Sequence, residues 1–74
     1  MIVNVLTAWQ LSSPAGISAH CVISGDANGE WHLIVRRGRD IMFSERCPND
    51  EIALGRANAI WSVLVEQGWT EPRH

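Results

Sequence analysis

Between Ile17 and Glu45 the chain alternates residues with a period of two, in three runs separated by glycine-bearing turns. Ala19, Cys21 and Ile23 interleave with Ser18, His20 and Val22 ahead of Gly25-Asp26-Ala27-Asn28-Gly29. Trp31, Leu33 and Val35 interleave with His32, Ile34 and Arg36 ahead of Gly38, and a third run covers Asp40 to Glu45. Successive side chains of a strand point to opposite faces, so the pattern predicts an antiparallel meander of three strands with one apolar face. Ile2 to Trp9 is rich in β-branched residues and ends at Ser12-Ser13-Pro14-Ala15-Gly16, which makes it a strand able to join the meander as a fourth.

Register follows from the requirement that one face stay apolar. Pairing Ser24 with Glu30 sets Ile23 beside Trp31, Cys21 beside Leu33 and Ala19 beside Val35. A three-residue loop, Arg37-Gly38-Arg39, pairs Val35 with Ile41 and Leu33 with Phe43, whereas a two-residue Gly38-Arg39 loop would set Ile41 against Arg36. The longer loop is therefore expected, with Ile41 and Phe43 in the core. The opposite face then carries Ser18, His20, Val22, His32, Ile34, Arg36, Asp40, Met42 and Ser44.

A helix is expected from Asn49 to Gln67. Asn49 suits the N-cap, and Asp50 and Glu51 fall in the first turn, where the helix dipole favours negative charge. Gly68 suits the left-handed position after the helix, with Trp69 reaching back to Leu64. Ala53, Ala57, Ile60 and Leu64, bordered by Leu54, Trp61 and Val65, form the stripe that would cover the sheet. The fold class is thus α+β: a meander of three to four strands with one C-terminal helix packed on one face. Residues 1–69 make one small domain and 70–74 a polar tail, since 74 residues leave no room for a second core.

No residue before Asp26 is charged, although the chain carries eight acids and six arginines. Exposed strands usually carry charge, so the N-terminal strand is expected to be covered, as an interior strand or at a subunit contact. Val3, Val5 and Trp9 would lie on one side of it, and Ile2 and Leu6 on the other. A net charge of -2 argues against affinity built on neutralising phosphates. Two cysteines without a CxxC pair, and an apolar start lacking basic residues, point to a cytoplasmic protein with no membrane span.

Candidate chemistry is sparse. His20 and His32 come out as diagonal neighbours on one face, yet a zinc site needs three or four ligands, and Asp40 and Ser44 supply at most one good one. Cys47 before Pro48 sits near a helix N-terminus but has no histidine tied to it as a base. Ser12-Ser13 lacks a nucleophile elbow, and the glycines form no phosphate-binding loop. No enzyme activity, cofactor or metal is expected.

What remains is a non-catalytic interaction module that forms a homodimer and regulates or inhibits an unidentified partner protein. The expected interface is a second helical stripe of Ile52, Gly55, Ala59 and Val63, in which Gly55 and Ala59 leave a notch for a second helix. The alternative is a weak nucleic-acid-binding accessory domain that grips phosphates with Arg36, Arg37 and Arg39 at a hairpin tip.

Overall fold

The computed structural model describes residues 2–71. Four strands, β1 (Ile2–Ser12), β2 (Ser18–Asp26), β3 (Trp31–Arg37) and β4 (Asp40–Cys47), precede one helix, α1 (Asp50–Glu66). The strands form an antiparallel sheet in the order β1-β2-β3-β4, and α1 packs on one face. This is the expected α+β meander, with the N-terminal strand as its fourth member. Of the polar tail expected over 70–74, Thr70 forms an isolated bridge with Ser12, and residues 72–74 lie outside the described residues.

The helix ends follow their sequence signals. Asn49 accepts a hydrogen bond from the backbone N–H of Ile52 at 2.9 Å, satisfying a donor that the first turn leaves open. At the other end Gly68 has φ +98, and the N–H groups of Trp69 and Gly68 donate to the carbonyls of Leu64 and Val65, both at 3.0 Å. That double return is the Schellman ending, and Leu64 and Trp69 are buried together in one cluster with Leu11 and Ala19.

The core lies between the sheet and α1. Cys21, Ile23, Leu33, Val35 and Cys47 meet Ala53 and Ala57, and each is at most 1% exposed. Alanines on the inner face of α1 let the helix approach the sheet closely, while Trp9 reaches across and donates its Nε1–H to the Ala57 carbonyl at 2.8 Å. Leu54 and Val65, expected to border the buried stripe, are exposed.

Register departs from expectation in both hairpins. Cys21 pairs with Val35, Ile23 with Leu33 and Gly25 with Trp31, a slip of two residues that preserves the faces. The first turn explains the slip. Asp26 Oδ1 accepts from the N–H groups of Asn28 (2.9 Å) and Glu30 (3.0 Å), and Gly29 takes φ +84, closing a three-residue loop from Asp26 to Glu30.

The second turn is the shorter Gly38-Arg39 loop, which pairs Arg37 with Asp40 and Arg36 with Ile41. Gly38 has φ +60 and no other residue has a positive φ there, the signature of a Gly-first two-residue hairpin turn. A bulge at Met42 then restores the faces, so that Val35 pairs with Phe43. Ile41 is consequently 56% exposed on the open face, and Phe43, although on the helix side, is 41% exposed. Neither belongs to the core.

The N-terminal strand is also not covered as expected. β1 is an edge strand, and Val5 and Leu6 are 65% and 49% exposed. Val5 pairs with Ser24 and Leu6 with Ile23, which puts them on opposite faces as expected; the side chains of Ile2 and Val3 lie outside the described residues. The course of α1 accounts for Leu6. The helix leaves the sheet beside the end of β4 and finishes against Leu11 and Ala19, at the end of β1 and the start of β2. A helix crossing on that diagonal leaves two corners of the sheet face bare: the start of β1 at Leu6 and the start of β4 at Met42 and Phe43.

Candidate functional site

The bare corner beside β4 is a groove of about 360 Å³, walled by Met42 and Phe43 on the strand and by Ala59, Ile60 and Val63 on the helix. Leu64 of the core and Gln67 also line it. Of the four helix positions expected to form an interface, Ala59 and Val63 line this groove, while Ile52 and Gly55 are exposed on α1 outside it. Beyond its chain neighbours and the backbone of its own helix, no described atom lies within 4 Å of where a Gly55 side chain would begin. Met42 and Phe43 are groove residues that the sequence reading placed elsewhere. The available signal was the unbroken run Ile41-Met42-Phe43, which violates strict alternation and marks the bulge.

The polar end of the groove is internally neutralised. Arg56 Nε stands 3.2 Å from Glu45 Oε2, and the Cys47 Sγ–H points to the same oxygen at 3.8 Å. Burial and the adjacent Glu45 carboxylate raise the Cys47 thiol above its ordinary pKa of 9.0, against a smaller opposing effect of Arg56. Both the raised pKa and the burial, at 1% exposed, disfavour the reactive thiolate form at this position.

The other sequence candidates separate. His20 pairs with Arg36 and His32 with Ser24, so the two imidazoles are not the diagonal neighbours that the earlier register implied. His32 lies instead with Asp26 and Glu30. Ser13 is a turn residue, its Oγ accepting from the N–H groups of Ala15 and Ile17 at 3.2 and 3.0 Å. Arg36, Arg37 and Arg39 are exposed around the Gly38 turn. Their strand pairing splits them: Arg36 shares the open face with His20 and Ile41, whereas Arg37 stands with Ala19 and Asp40 on the helix side.

No described helix is long and apolar enough to cross a membrane. Set against family models, curated proteins and solved structures, the chain matches none.

Proposed function

We propose that this chain is a non-catalytic interaction module that works as a homodimer, joined through the groove between β4 and α1. The observation that carries the reading is the exposure of Met42, Phe43 and Val63, at 45%, 41% and 52%, around one concave apolar surface. Large apolar side chains gathered at a groove mark an association site. A second copy fits it better than a charged partner, because Glu45 and Arg56 already neutralise each other and, among the described residues, no unpaired charge lines the groove. A two-fold axis beside β4 would set Phe43 and Val63 of each copy into the Ala59 hollow of the other, one surface serving both sides. Ile52 would extend the contact along α1, with Gly55 leaving room for approach. Regulation or inhibition of a further protein belongs to this reading as its cellular role, and the two unpaired buried thiols suit a reducing cytoplasm.

Sedimentation equilibrium tests the dimer. Wild-type protein should sediment as a dimer at micromolar concentration, and Ala59→Arg or Phe43→Ser should yield a folded monomer. A monomeric wild type, or variants that stay dimeric, overturns it.

One observation favours a second reading, nucleic-acid binding. Asp40, which would have offset the arginines on the open sheet face, pairs with Arg37 on the helix side, leaving Arg36 with His20 near the Gly38 turn, while Asp26 and Glu30 lie at the other end of that face beside His32 and Arg46. Gel shifts at low salt decide it: loss of binding on changing Arg36, Arg37 and Arg39 to Ala supports the reading, and unchanged or absent binding removes it.

A further inference from the structure

On the open face of the sheet, opposite the groove, the β2–β3 turn gathers Asp26, Glu30 and His32 so that one ligand atom of each lies within 4.8 Å of the other two. We infer that these three side chains form a binding site for a divalent transition-metal ion of the zinc type, with the remaining coordination positions open to water.

The local chain geometry makes the cluster. Asp26 and Glu30 close the three-residue turn, with Asp26 N donating to the Glu30 carbonyl at 2.9 Å. The period of two along β3 puts His32 on the same face as Glu30, and pairing of Ser24 with His32 sets the imidazole diagonally from Asp26. The Asp26 carboxylate is held before any ion arrives. Both backbone N–H groups it receives go to Oδ1, which orients the group and leaves Oδ2 as its ligand oxygen. The His32 side chain is half-buried and that of Glu30 is exposed and free to rotate, so small side-chain rotations can bring the donors together. Zinc bonds of about 2.0 to 2.2 Å require donors roughly 3.4 Å apart, and the spacing here is within that reach.

The donor set selects the ion. An imidazole nitrogen with two carboxylates suits zinc, nickel or manganese, whereas magnesium and calcium prefer oxygen alone. Two carboxylates with a single neighbouring guanidinium, Arg46, leave the cluster a net acceptor of positive charge. Arg46 is the competitor: its Nε stands 3.5 Å from Glu30 Oε2, and it pairs across the strands with His32. Both partners of that ion pair are largely exposed, at 69% and 47%, and pairs of this kind are weak enough for an ion to displace.

Isothermal titration with Zn²⁺ alone, in a His20→Ala/His74→Ala background where His32 is the only imidazole, tests the site. Saturable binding at one ion per chain is expected, with Mg²⁺ at the same concentration giving none. His32→Ala and Glu30→Gln should each weaken Zn²⁺ binding at least about tenfold, and Arg46→Ala should tighten it roughly two- to fivefold by removing the competing charge. Paramagnetic Ni²⁺ should broaden amide resonances at residues 26–32 first, a readout that needs no substitution to fold. Absent Zn²⁺ binding, affinity unchanged by His32→Ala, or broadening centred elsewhere would each overturn the assignment.

Discussion

The six-membered ring of Trp31 occupies the space in which a side chain on Gly25 would begin: a Cβ there would sit 2.8 Å from both Cε2 and Cζ2. The two residues are direct partners across β2 and β3, so this contact registers the hairpin as firmly as the turn does. Gly25→Ala must push the indole aside, and overpacking of this kind costs about 1 to 3 kcal/mol. Urea denaturation should show a lower midpoint at unchanged slope.

Asn49 contributes one side-chain hydrogen bond and holds the start of α1. Asn49→Ala should lower stability by about 1 kcal/mol, while Asn49→Ser, which retains an acceptor, should cost only a few tenths. Paired thermal melts check both.

The Trp9 indole joins the β1 edge to the middle of α1 through its bond to the Ala57 carbonyl. Trp9→Phe keeps much of the ring packing and removes the donor, and a loss of about 0.5 to 1.5 kcal/mol is expected. Hydrogen exchange should show the largest relative gain in opening along β1, because the strand has only one neighbour in the sheet.

Burial raises the Cys21 thiol from 9.0 to about 11, and Cys47 is raised by burial and by Glu45. Above pH 9 the unfolded chain sheds these protons while the folded protein keeps them, so the unfolded state is favoured as pH rises. The contribution of the thiols is complete below pH 9 and is lost progressively up to about pH 11. Equilibrium unfolding across that window should show falling stability, and Cys21→Ala should flatten the dependence.

The strands, the helix and both helix caps were legible because each rests on local chemistry: alternation, an N-cap amide, a left-handed glycine. Pairing register was not: in the first hairpin a slip of two residues leaves every side chain on its own face, and in the second the bulge at Met42 moves Ile41 to the open face. Cys21 is equally apolar opposite Leu33 or Val35, and only the hydrogen bonds of Asp26 and the fit of Trp31 over Gly25 choose between them. The exposure of Phe43 was hidden for a different reason. It depends on the diagonal course of α1, set by packing of Leu64 and Trp69 against Leu11, residues far apart in sequence. The metal-ligand cluster was missed through the register error itself, which placed His32 opposite Val22 in place of Ser24.

The bridge between Ser12 and Thr70 makes the two margins of the sheet unequal. Thr70 donates to and accepts from Ser12 at 2.9 and 2.7 Å on the side of β1 facing away from β2, and β1 is further interrupted by register shifts between Ile2 and Asn4 and between Thr7 and Trp9. The opposite margin, β4, runs without interruption from Phe43 to Cys47. Strand-to-strand growth without limit requires a competent margin on each side of every subunit, so that each newcomer offers the next a place to add. A sheet with a single regular margin can join its own kind only once, and such growth stops after one addition.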